Sequence, residues 1–154
     1  MSSAGYSGTP LPKKLGIKEG SRVGARHAPA HLSDLLDPLP SGVQVEALEQ
    51  SGHTEGDARF DVVLLFVDDI RTLEDDFTSL TDRIEVDGGL WTCWPKMKSS
   101  LFRELRESDV RSHGLEIGLV DNKICAVDED WSGLRFVHRR DDRPALRAAR
   151  GEGA

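Results

Sequence analysis

The chain has 154 residues, 38% of them hydrophobic, and a formal net charge of −7. That length suffices for one domain with a real core. The acidic balance argues against non-specific nucleic-acid or membrane-surface binding, which needs a basic field, and no window approaches the ~20 apolar residues of a membrane span.

Residues 1–12 hold Gly5, Gly8, Pro10 and Pro12 among small polar residues and read as an extended N-terminal arm. They lack an apolar core segment, so no secretory signal is expected. A single α/β domain is expected over residues 13–140. Ser21–Arg26 reads as a short strand, His31–Leu36 as a short helix closed by Pro38 and Pro40, and Val43–Leu48 as a second strand. Glu49–Arg59 is a polar, Gly-containing loop. Val62–Val67 is a continuous apolar run, as expected for a strand buried on both faces of a parallel sheet.

Ile70, Leu73, Phe77, Leu80 and Ile84 recur at three- and four-residue spacing, which predicts an amphipathic helix broken at Gly88-Gly89. Leu90–Trp94 is the next strand, ended by Pro95. Leu101, Leu105 and Val110 mark a further helix ended by His113-Gly114. Two strands close the domain, Ile117–Val127 and Leu134–His138, joined by the turn Asp128–Gly133. A turn that short makes the pair antiparallel. Residues 141–154 read as a disordered or partly helical tail. The strand–helix alternation before the last pair implies a parallel sheet covered by helices.

Cys93 and Cys125 each lie in an apolar run and are expected to be reduced, buried thiols of a cytoplasmic protein. Trp91 and Trp94, three apart on a strand, point to opposite faces. Trp131 sits in the turn, where it either folds back over the sheet edge or anchors a partner. His27 and His31 have a four-residue spacing that suits a metal, but no third ligand is evident and Pro29 lies between them, so no metal site is expected. Asp128-Glu129-Asp130 lacks the alternating ligands of a calcium loop. It reads as turn chemistry relaxed by Gly133. There is no G-x-S-x-G nucleophile elbow and no G-x-x-x-x-G-K phosphate loop.

The element order resembles a class I methyltransferase. EGSRV resembles the turn into that family's first strand. FDVVLLFV, with Asp61 at its head, resembles its fourth sheet strand, and DGGLWTCWPK resembles the strand that follows. The implied fold is a three-layer, mostly parallel Rossmann-like sheet with a C-terminal antiparallel hairpin. YSGTPLPKKLGIK, WPK and DEDWSGLRFVHRR also resemble a small actinobacterial family of unknown function, which implies a bacterial cytoplasmic protein and no catalytic residues.

The chain departs from the methyltransferase pattern after the first strand. There the family carries a G-x-G-x-G turn so that backbone approaches the cofactor. Here Val23-Gly24 is followed by Arg26, His27, Ala28 and Pro29. Glu46 falls near where an acidic residue would hold the cofactor ribose. In an open α/β sheet, ligands sit at the carboxyl ends of the strands. Those ends carry Arg26, His27, Asp68, Asp69, Lys96 and Asp128, a set suited to an anionic or aromatic molecule.

The sequence therefore points to a non-catalytic protein-interaction or regulatory module on a degenerate methyltransferase-like fold. No cofactor is expected, and an unidentified protein partner is met by the N-terminal arm and Trp131. The first alternative is a sensor or enzyme for an anionic small molecule, using Arg26, His27, Asp68, Lys96 and Asp128. The second is a methyltransferase that binds S-adenosylmethionine in an unusual way.

Overall fold

A computed structural model describes residues 9–48 and 59–151. In chain order the elements are α1 (Leu11–Lys14), β1 (Arg22–Arg26), α2 (Leu32–Leu35), β2 (Gln44–Ala47), β3 (Phe60–Phe66), α3 (Ile70–Leu80), β4 (Ile84–Pro95), α4 (Glu107–Ile117), β5 (Leu119–Ala126), β6 (Trp131–His138) and α5 (Arg143–Ala149). The described strands form one sheet in the order β2-β1-β3-β4-β6-β5. The first four run parallel, and β6 is antiparallel to both β4 and β5. This is the α/β arrangement the sequence implied.

Side-chain alternation along β3 divides the core. Val63, Leu65 and Val67 join one buried cluster with Leu73, Phe77, Leu80 and Val110 of α3 and α4. Val62, Leu64 and Phe66 join a second cluster with Leu15 and Ile17 of the N-terminal segment and Leu36, just after α2. Each fully buried aliphatic or aromatic side chain is worth about 1.5–3 kcal/mol, so β3, apolar on both faces, holds the layers together. Trp91 and Trp94 fall in opposite clusters, as their spacing required. The Trp91 indole donates to the Leu15 carbonyl at 2.9 Å, which ties the N-terminal segment across the sheet.

Three sequence expectations shift. Ile84 is the first residue of β4, and Gly88-Gly89 lies inside that strand rather than ending a helix. The register with β3 jumps from Phe60↔Ile84 to Val62↔Gly89, and a Cβ on Gly88 would lie 2.7 Å from the Asp61 carbonyl. The glycine pair therefore serves a close strand approach. The later helix starts at Glu107, not Leu101, and passes through Gly114 because the Phe136 ring occupies the space of a side chain there. It ends at Gly118, whose φ of 109° suits a left-handed cap.

Trp131 opens β6 instead of sitting in the turn. Of the 141–154 segment, residues 143–149 form the short helix α5. α5 packs against β4, with Arg147 paired to Asp87 at 2.7 Å and Arg150 donating to the Ile84 carbonyl at 2.9 Å. Those contacts are long-range pairings that composition does not reveal. Of the N-terminal arm, residues 1–8 lie outside the described residues, as does most of the 49–59 loop, while Leu11 and Pro12 begin α1.

Candidate functional site

In this topology β1 leads to β2 on one side and has β3 on the other, so the switch point lies above β1 and β3. A cavity of about 250 Å³ opens there, lined by His27, Phe66, Val67, Asp68, Thr72 and Trp131. It is smaller than the roughly 300–1,000 Å³ of pockets that enclose drug-sized ligands.

The turn after β1 supplies part of the cavity wall. His27 has φ = 60°, a left-handed conformation that glycine adopts freely and other residues adopt at a cost of about 1–2 kcal/mol. The backbone thus keeps a glycine-like shape while carrying an imidazole. Its Nε2 meets Asp76 Oδ2 of α3 at 2.6 Å, a contact that offsets the strain and holds the ring at the rim. α2 follows as a single four-residue turn with no side-chain cap. A helix that short has almost no dipole to offer an anion.

Arg26 does not enter the crevice. It is 3% exposed. Its Nε donates to the Leu48 carbonyl at 2.6 Å, and one terminal nitrogen reaches Asp76 Oδ1 and Ser79 Oγ, each at 3.2 Å. One carboxylate, Asp76, therefore holds both Arg26 and His27. Asp76 did not stand out in the sequence, because it lies on the polar side of a periodic helix.

Lys96 and Asp128 belong to the hairpin. Lys96 Nζ donates to the Asp128 backbone carbonyl at 2.7 Å. Asp128 Oδ1 accepts from the amides of Asp130 and Trp131, each at 2.8 Å, and Oδ2 meets His31 Nε2 at 2.9 Å. Burial pushes the Asp128 carboxyl up, but the His31 contact and the two amides outweigh it and hold the pKa below the usual carboxylate value. His27 and His31 thus engage different carboxylates, and no cluster of metal-ligating side chains occurs among the described residues.

Glu46 lies mid-strand in β2 and pairs with Arg22 at 3.1 Å, both side chains well exposed, a pair worth at most about 1 kcal/mol. Asp69 caps α3 instead. The amide of Thr72 donates to its Oδ1 at 2.7 Å, and this bond holds its pKa low. Of the sequence candidates, the crevice brings together His27, Asp68 and Trp131, while Arg26, Lys96 and Asp128 face elsewhere. Asp68 is half-exposed, with Arg103 3.8 Å away.

Trp131 folds back over the sheet. Its ring meets Phe66 edge-on at 5.0 Å and packs against the second buried cluster. Cys93 is buried and Cys125 partly buried, both as free thiols. Both pair in register with Gly133 from opposite sides. They are two strand spacings apart, about 9–10 Å, beyond the roughly 7 Å limit for a disulfide.

No protein-family model matches the chain, and no curated protein matches it. Solved structures do. A ribosomal protein L11 methylase from Lactobacillus delbrueckii subsp. bulgaricus is similar at a TM-score of 0.60 and 12% identity, over 84% of this chain and 75% of that one. A precorrin-6y C5,15-methyltransferase from Geobacter metallireducens gives 0.57 and 11%, over 84% and 86%. A SAM-dependent methyltransferase from Aquifex aeolicus gives 0.55 and 14%, over 82% and 86%. At such identities the likeness shows the fold: a Rossmann-like sheet of methyltransferase type. Among the described residues no helix is long and apolar enough to cross a membrane.

Proposed function

We propose that this chain is a non-catalytic binding module built on a methyltransferase-like fold whose cofactor cradle is closed. One observation carries the reading. His27 stands in a glycine conformation after β1, tied to Asp76, above a cavity of only about 250 Å³. Three supports of nucleotide binding are therefore weak at once: the close backbone approach, the helix N-terminus and the volume. The resemblance to an actinobacterial family of unknown function implies a bacterial cytoplasmic protein and adds no activity. With Trp131 packed on Phe66, that ring is not the partner surface in this reading.

Isothermal titration with S-adenosylmethionine and its demethylated product tests the reading. No saturable heat is expected at millimolar ligand. A dissociation constant below about 100 μM overturns the proposal.

The second reading, an atypical S-adenosylmethionine-dependent methyltransferase, draws on the methyltransferases among its structural neighbours and on the crevice that persists at the switch point. The same titration decides between the two.

A further inference from the structure

A second cavity lies at the opposite end of the sheet. It holds about 440 Å³ and sits at the amino ends of the parallel strands, between the α1–β1 connection, the start of β4 and the β5–β6 hairpin. That volume lies within the range of small-molecule sites. Five basic and three acidic side chains line it, a local excess of positive charge on a chain of net charge −7.

Arg135 lines this cavity from β6. It pairs in register with Trp91 on one side and Lys123 on the other, so all three share a sheet face. Its guanidinium crosses β4 above Gly89, where any Cβ would collide with it. Among the described residues it makes no ion pair, and its one side-chain hydrogen bond is a long 3.4 Å contact to Asn122. Burial, and then the nearby charge of Arg143, lowers its pKa from the usual arginine value. A partly buried cation without a counter-charge is costly unless an anion compensates it.

Lys14 and Lys123 flank the same space, and both act electrostatically on Cys125, so they lie on one patch. Neither makes an ion pair among the described residues, and nor does Lys18 at the rim. Arg147, by contrast, is occupied by Asp87. Besides Asp87, two carboxylates line the cavity. Asp61 already accepts from the Arg22 amide at 2.8 Å, and Glu85 pairs with no cation among the described residues. Carboxylates there would repel a bare polyanion but accept from hydroxyl groups.

We propose that this cavity binds a small phosphate monoester carrying hydroxyl groups, its phosphate held by Arg135, Lys123 and Lys14 and its hydroxyls by Glu85 and Asp61. The arginine fork and two ammonium groups match a phosphate dianion. The site is separate from the switch-point crevice, so it stands whether or not that crevice takes a cofactor.

Calorimetric titration of the full chain at low ionic strength tests this, with ribose 5-phosphate, inorganic phosphate and ribose as probes. Ribose 5-phosphate is expected to saturate at sub-millimolar concentration, inorganic phosphate about tenfold more weakly, and ribose not at all up to about 10 mM. Arg135→Gln and Lys123→Gln should each weaken ribose 5-phosphate by about tenfold or more, as expected for the loss of a charge-assisted bond, while Lys98→Gln at the far end leaves it unchanged. A far-ultraviolet spectrum and melting curve of each variant confirm folding. If Arg135→Gln does not fold, Lys123→Gln carries the test. Lack of saturation by ribose 5-phosphate, equal affinity for inorganic phosphate, or undiminished affinity in the folded variants overturns the proposal.

Discussion

Asp76 bears the heaviest load beside the switch-point crevice, and its removal gives the sharpest test. Its carboxylate faces Arg26 at 3.2 Å and His27 at 2.6 Å, with the Arg26 side chain 4% and the Asp76 side chain 17% exposed. Asp76→Ala leaves a buried guanidinium without this counter-charge. Breaking a buried pair from one side costs about 3–5 kcal/mol. Bonds from Arg26 to the Leu48 carbonyl and Ser79 Oγ persist, so the lower end, about 3 kcal/mol, is expected. With a urea m-value of about 2 kcal/mol/M, the midpoint should fall by about 1.5 M.

Arg26→Met removes the charge instead and strands mainly the Leu48 carbonyl, at a cost of about 1–3 kcal/mol. The double variant should then be less destabilised than the two singles together, by about 1–3 kcal/mol. Urea unfolding followed by tryptophan fluorescence and far-ultraviolet circular dichroism measures all three. A loss under about 1 kcal/mol for Asp76→Ala, or strict additivity, refutes the view that this carboxylate compensates a buried charge.

Trp131→Ala should cost about 2–3 kcal/mol in the same assay, below the ~3–5 of a fully buried aromatic, because the ring packs on Phe66 from one side. A cost near zero would return Trp131 to the surface as a partner anchor. His138 is 9% exposed, and its Nε2 has no partner among the described residues. Burial first, then the charges of Arg150 and Arg143, lower its pKa. The unfolded chain then binds the extra proton, so the stability is complete above the ordinary histidine pKa of about 6.5 and declines as pH falls below it. The urea midpoint of the native chain should therefore drop more between pH 7.5 and 5.5 than that of His138→Gln. Equal drops would show that His138 does not titrate this way.

Burial pushes both thiols above their ordinary pKa, Cys93 furthest. At neutral pH a thiol reagent should modify Cys125 slowly and Cys93 only on unfolding. Fast labelling of two thiols in native protein would contradict the packing around Gly133.

Periodicity and order alone determined much of this molecule. VVLLFV is apolar at every position, so it had to be buried on both faces, and β3 is. Leu73, Phe77 and Leu80 at helical spacing had to face one layer, and they do. Strand–helix alternation followed by a tight hairpin led to a parallel sheet with an antiparallel end. The missing glycine turn was also legible, because it depends on residue identity at a local bend.

Tertiary structure decided the rest, because those choices depend on contacts between residues distant in sequence. Arg26 reads as a free strand-end cation until Asp76, fifty residues on, is brought against it. Lys96 and Asp128 look like ligand groups until the hairpin uses them for itself. Trp131 looks exposed until Phe66 supplies its partner, and Arg147 looks free until Asp87 of β4 is brought against it. The basic cavity is the extreme case. Lys14, Glu85, Lys123 and Arg135 share no local pattern; the strand order β4-β6-β5 and the Trp91–Leu15 bond that docks the N-terminal segment gather them at one end of the sheet.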